Sequence, residues 1–428
     1  METRKILTIL VMALDVVLGP AMFARAGDPS PPTPQNSPSG KVMEALDEVE
    51  PRIPIHASDL PMTITEPNSY YLVEDVNFTD DANNAITIEC NNVTIDLMGY
   101  TLKGPDSGDK SGVYIDGQTN VEIRNGTIRD FGSYAIANVG GVISGGHRVL
   151  NIRALSNLEG GIFLYGYGIL IKDCTALENS SDGISCLGGS GNTVTGNMCS
   201  NNGGLGIVIT GPSTATGNTC FYNRFAGITA ERSTTVTGNT CGYNRWNGID
   251  TSYGCTVTGN TCCYNDHIGI DASYGCTVTG NTCCYNDNIG ISAFSGCMVT
   301  GNTCYNNDFD GINADENTTV TGNTVNFNDR DGIDIGHDCK VIDNTCSHNG
   351  SSIDDDGAGI HATGSGNHIE RNNVVGNDRG IDVDAADNLI VKNSASKNDT
   401  EYNIIAGNKV GTITTDPTTA GPWDNFDF

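Results

Sequence analysis

The sequence predicts an all-β protein, a single-stranded right-handed parallel β-helix of about 21 residues per coil with a short N-terminal capping helix. Three observations carry that prediction. The stretch "CTVTGNTCCYNDHIGIDASYG", residues 255–275, is followed at once by "CTVTGNTCCYNDNIGISAFSG", residues 276–296, and only four positions differ. Cys199, Cys220, Cys241, Cys262, Cys283, Cys304, Val325 and Cys346 recur every 21 residues, each with an Asn two residues before it and another three after. Each period holds short β-type runs such as "TVTG" and "GID", broken by Gly, Asn and Asp, with no helical apolar pattern.

Taken in chain order, residues 1–26 carry Arg4 and Lys5, an apolar run and Ala24-Arg25-Ala26, which together predict a secretory signal peptide. Residues 27–40, "GDPSPPTPQNSPSG", have nothing to bury and predict an extended linker. In residues 41–60, Val42, Leu46 and Val49 fall on one helical face before Pro51 and Pro54, which predicts the cap helix and a lead-in. The β-helix is expected over 61–410 as thirteen or fourteen coils, a rod of roughly 65 Å at about 4.8 Å per coil. The tail 411–428, ending in "PWDNFDF", is expected to pack Trp423, Phe426 and Phe428 against the other end, since an uncovered coil is an unpaired sheet edge.

Stacking fixes the role of most repeated residues. Val257, Cys262 and Ile270 point inward as apolar ladders, and Asn260 and Asn265 sit at bends where one amide bonds the next. A leucine-rich repeat needs a Leu framework that is absent, and a calcium-binding nonapeptide repeat needs a period of nine. Sixteen cysteines in a secreted chain ordinarily signal a disulfide framework, but two vertical stacks, Cys199–Cys304 and Cys255–Cys339, place most of them as small core hydrophobes. Cys263 and Cys284, one position past the core stack, are the best candidate bridge.

The chain resembles the secreted bacterial right-handed β-helix repeat proteins, related in fold to the pectin lyases and the NosD-type periplasmic proteins. The resemblance rests on "TITEPNSYYL" at 63, the "VTGNTC" coils, "EYNIIAGNKVG" and the terminal "PWDNFDF". It implies the fold. For activity it implies only a family that mixes polysaccharide lyases, hydrolases, epimerases and inactive coils.

Composition narrows the partner. A net charge of −29 leaves no basic surface for a phosphate backbone, so nucleic acid is excluded, and with the signal removed no membrane segment remains. The expected product is a secreted, periplasmic or cell-surface monomer whose partner is a polysaccharide.

Candidate chemistry gathers on the "GI" strand and its flanks. Asp310, Asp331, Asp334 and His361, with Arg330 and Arg379, form the catalytic candidate, because crowded carboxyls with displaced pKa values supply an acid and a base. An eliminating lyase would instead need calcium and one of those arginines as base. The next coil breaks the period between Asn349 and Gly359, and Asp354, Asp355 and Asp356 are expected to overhang this site. Trp246, Tyr253 and Tyr274, with Asp250, Asp271 and His267, form the substrate-binding candidate, the rings serving as a sugar platform or as a cover for the solenoid. Asp266, Asp287, Asp308 and Asp329 stack at one bend, as turn formers or as calcium ligands. The alternative to a polysaccharide-binding or polysaccharide-cleaving protein is a non-catalytic envelope rod stabilised by calcium. Where the two copies disagree, at His267/Asn288, Asp271/Ser292, Ser273/Phe294 and Tyr274/Ser295, the difference falls on or beside the "GI" strand.

Overall fold

A computed structural model describes residues 52–138, 144–350 and 357–428. The expected signal peptide, the linker, the body of the cap helix and the three carboxylates Asp354–Asp356 lie outside the described residues. Among those residues the only helix is one 3-10 turn, Ala57–Asp59, so the capping helix is not part of the fold described here.

Arg52–Phe428 is one compact unit built entirely of parallel coils. Each regular coil has three short strands, as in Thr256–Thr258, Thr261–Cys263 and Ile270–Ala272, and each pairs in parallel with its equivalent one period later. The strands therefore stack into three flat faces, called here the first, second and third in that order. The middle residue of the first two strands and the outer residues of the third are buried, so Val257, Cys262, Ile270 and Ala272 form continuous ladders of 0 % exposure.

The rod has about seventeen turns, more than the thirteen or fourteen expected. The extra turns come early, where the coil length drifts: Tyr70 pairs with Ile95, Ile95 with Ile123 and Ile123 with Val149, steps of 25, 28 and 26 residues. Those coils lack the "GNTC" signature, so periodicity alone does not count them. Pairing also starts earlier than residue 61, since Ile53–Ile55 already lies beside Tyr70–Leu72.

The corners explain the repeated Asn and Gly. Asn260 Nδ2 donates to Asn281 Oδ1 at 3.0 Å and to the Val236 carbonyl at 2.9 Å, while the Asn239 main-chain and amide N–H groups both donate to Asn260 Oδ1. Every hydrogen-bonding site of a buried amide is thereby used. A second ladder through Asn223, Asn244, Asn265 and Asn286 repeats the pattern. Gly269 is required by close approach: a Cβ there would lie 2.5 Å from the Gly290 carbonyl oxygen and 2.8 Å from Asn286 Nδ2.

The far end is closed by main chain rather than by rings. Asn425–Asp427 pairs with Ser394 and Ala395, and Asn425, fully buried, accepts the Asn393 N–H at 2.9 Å, which continues the Asn ladder from a residue far outside the period. Trp423 and Phe428 stay 58 % and 71 % exposed, contrary to the expected apolar cap, because a three-residue strand satisfies the open edge without them. Cys263 and Cys284 form the disulfide, and the stacked cysteines of both columns are free and buried.

Candidate functional site

The third face carries the site. Its strands place one side chain per coil outward between two buried ones, giving the ladder Thr229, Asp250, Asp271, Ser292, Asn313, Asp334, His361 and Asp382. The corner before the strand carries Trp246, His267, Phe309 and Arg330 at one register position, and the corner after it carries Tyr253 and Tyr274. The ladder is therefore the floor of a channel with two rims. A groove of about 230 Å³ opens on it beside Asp334, lined by Ser292, Phe294, Asn313, Asp315, Gly336 and Thr363 among others.

At the C-terminal part of this channel, three carboxylates converge on His361. Its Nδ1 lies 3.2 Å from Asp331 Oδ2 and 3.7 Å from Asp334 Oδ1, and its Nε2 lies 3.2 Å from Asp384 Oδ2. The hydrogen bond to Asp331 is the largest reason why the imidazole is pushed up to about 9, against the opposing effect of burial. His361 is thus a cation at neutral pH, held at both nitrogens. Asp334 accepts from Asn313 Nδ2 at 2.8 Å through Oδ2, while its Oδ1 is buried without a hydrogen bond. Burial raises its carboxyl above the usual range, with His361 opposing.

Asp310 and Asp331 sit one step behind this surface, each 1 % exposed. Asp310 Oδ1 accepts the Asp331 N–H at 3.2 Å, and Asp331 Oδ1 accepts the Ala358 N–H at 2.7 Å, so each carboxyl caps the coil above it. Burial, reinforced by the charges of Asp331 and Asp334, pushes Asp310 up to about 7. The two arginines are engaged elsewhere: Arg330 lies 4.2 Å over the Phe309 ring, and Arg379 binds Asp382 at 2.6 Å.

The predicted substrate-binding set is also on the channel, three to four coils away. Asp250 is pushed up to about 6, chiefly by burial and then by Asp271, and Asp271 is itself raised by burial. Asn247 bonds Asp250 and also His267 Nδ1, at 2.8 Å to the latter. The rings, however, stack on one another along the rod: Trp246 on His267 at 4.4 Å and 8°, Tyr253 on Tyr274 at 5.6 Å and 13°. Faces paired in this way turn ring edges toward the channel, so they form walls more than a flat platform.

Asp266, Asp287, Asp308 and Asp329 line up one coil apart at the corner, and Asp308 is raised by burial and by its two neighbours. Among the described residues, the groupings with three ligand atoms within 4.8 Å of one another are Asp331, Asp334 and His361, and His361, Asp382 and Asp384; neither includes that ladder. Asp384 and Asn247 were not singled out in the sequence. The signal for Asp384 was arithmetic: it stands one period after Thr363, diagonal to His361 on the next coil.

This architecture is that of a right-handed parallel β-helix. Residues 141–283 match the family model described as a right-handed beta helix region, and residues 234–419 match that of the periplasmic copper-binding protein NosD. A comparison with curated proteins finds no match. Among solved structures, the A-module of mannuronan C-5 epimerase AlgE6 from Azotobacter vinelandii is similar at 11% identity and TM-score 0.43, over 87% of this chain and 97% of that one. The AlgE4 A-module of the same organism gives 14%, 0.41, 68% and 84%, and the catalytic domain of a GH87 α-1,3-glucanase gives 13%, 0.38, 74% and 64%. At such identities the chemistry of this chain has to be argued from its own residues.

Proposed function

We propose that this β-helix binds a polysaccharide along its third face and hydrolyses it, Asp334 giving a proton to the leaving glycosidic oxygen and the exposed carboxylate of Asp384 taking one from the attacking water. The observation that carries the reading is the convergence of Asp331, Asp334 and Asp384 on His361 beside the groove. Asp334, raised by burial and lining the groove, is the group that meets the glycosidic oxygen. His361 supplies a fixed positive charge that favours the ionised state of Asp334 once its proton has left. Asp331 and Asp310 are positioning residues beneath them. Hydrolysis is favoured over elimination because Arg330 and Arg379, the candidate bases, are stacked or ion-paired. The acidic channel also opposes polyuronates, which points to neutral or cationic glycans. A location outside the cytoplasm accords with the predicted signal peptide and with the periplasmic family that residues 234–419 match.

The test is a panel of neutral, amino and uronate polysaccharides assayed for new reducing ends and for unsaturated products, with and without calcium. Reducing ends without unsaturation are expected, and they should vanish in Asp334→Asn while the fold, followed by circular dichroism, stays intact. Undiminished turnover in that variant would remove the site from the account.

A further inference from the structure

A second, larger cleft of about 750 Å³ opens on the early coils of the protein, lined by Tyr165, Leu187, Leu205, Val208, Pro212 and Arg232 among others. It lies on the same third face as the acidic channel. Val208 occupies the outward strand position, pairing with Ser185 on one side and Thr229 on the other, and Thr229 pairs with Asp250. Thr229 Oγ1, buried and without a hydrogen bond, continues that face toward Asp250.

Two positions of the repeat shape the cleft. At the corner after the strand, Gly211 stands where later coils have Arg232, Tyr253 and Tyr274, so the rim loses its ring. Gly211 has φ +78°, and a Cβ there would lie 2.2 Å from the Gly189 carbonyl oxygen, so no larger residue fits. At the corner before the strand, Leu205 stands in the register of Asp310 and Asp331, which makes this wall apolar where the other end of the channel is acidic. The result is an apolar hollow of Leu187, Leu205, Val208 and Pro212 with polar groups at its edge. Glu231 and Arg232 make no side-chain hydrogen bond or ion pair among the described residues. The volume falls in the range of ligand sites, about 300–1,000 Å³.

We infer that this cleft is a distal subsite of the same glycan-binding face and takes an acyl-substituted, uncharged sugar unit. The acyl methyl lies against Leu187, Leu205 and Val208, and the acyl carbonyl accepts from the Arg232 guanidinium. Continuity with the channel argues for the same polymer as occupant. A sugar without an acyl group leaves the apolar wall wet, and an ionised uronate places its charge on that wall. The inference rests on the polysaccharide reading proposed above.

Matched pairs test it: N-acetylated chitohexaose, acetylated glucomannan and acetylated xylan, each against its deacetylated form, with affinities from calorimetry on the full chain. At least one acetylated member should bind tenfold or more tightly than its partner. Val208→Lys and Arg232→Ala, both at partly or fully exposed positions, should bring that pair within twofold, and Asp334→Asn should keep the preference. Arg232→Ala retains the test if Val208→Lys misfolds. Equal affinities within every pair, or a preference untouched by a folded variant, would overturn the subsite alone. Failure of every glycan to bind would overturn both it and the wider reading.

Discussion

Asn281 accepts both the main-chain and the side-chain N–H of Asn260 and donates in turn to Val257 O and Asn302 Oδ1. Removing its side chain takes one hydrogen bond from each of four buried groups and leaves the Asn260 main-chain N–H without its acceptor, in a region from which water is excluded. At about 1–3 kcal/mol for each buried group left unsatisfied, Asn281→Ala should destabilise the surrounding coils by several kcal/mol, read as faster amide hydrogen exchange in residues 255–305. Tyr264→Ser, which removes one of a row of exposed stacked rings, should cost far less. The same scale governs pH. Asp310 keeps its proton to about 7 in the folded chain, against an ordinary value of 3.8, so the folded state binds more protons between those values and loses stability as pH rises through that window. His361, raised from 6.5 to about 9, likewise loses its stabilising ion pair as pH rises across that interval. The two effects have one sign. The thermal midpoint should be higher at pH 5 than at pH 9, and in His361→Gln the decline between 6.5 and 9 should flatten.

At the scale of the element, a coil is interchangeable with its neighbour because the three strands and their corners repeat in register. The Cys263–Cys284 bridge joins two such coils across 21 residues, a loop for which chain-entropy arguments give about 3 kcal/mol. Cys263→Ser with Cys284→Ser should therefore lower the unfolding free energy of these coils by roughly that amount while the fold persists. The acid ladder belongs to this scale as well. One carboxylate per coil supplies few of the six to eight oxygens that calcium takes. Millimolar calcium should raise the thermal midpoint no more than magnesium does; a selective rise that a chelator reverses would support the metal reading of Asp266, Asp287, Asp308 and Asp329. Much of the element was legible in advance. The 21-residue recurrence of Cys and Asn placed the strands, the corners, both thiol columns and the bridge. The drifting coils before Val149 were not, because their hydrophobic pairs match at unequal intervals that only the stacked backbone aligns.

At the largest scale, Arg52–Phe428 behaves as a one-dimensional stack in which each coil contacts only the next. In-frame deletion of residues 263–283 joins Cys262 to Cys284, removes one period and one half of the disulfide, and should leave a folded, shorter rod with an unchanged far-ultraviolet spectrum. Deletion of ten residues from the same place should not, since it turns buried positions outward. The channel on the third face is a property of this scale, because its floor and rims are drawn from coils hundreds of atoms apart along the chain. From the sequence alone came the period, the handed solenoid, the interior ladders and the acidic stretch around Asp334, since all of these follow from repetition and composition. Only the tertiary structure decided that Asp331 and Asp384 grip opposite nitrogens of His361, that Asp310 is buried, that the aromatic faces are spent on one another, and that Asn425 closes the rod. The physical reason is that repetition fixes which residues stack, whereas side-chain direction at a corner and contacts made diagonally between coils depend on backbone geometry that no single period contains.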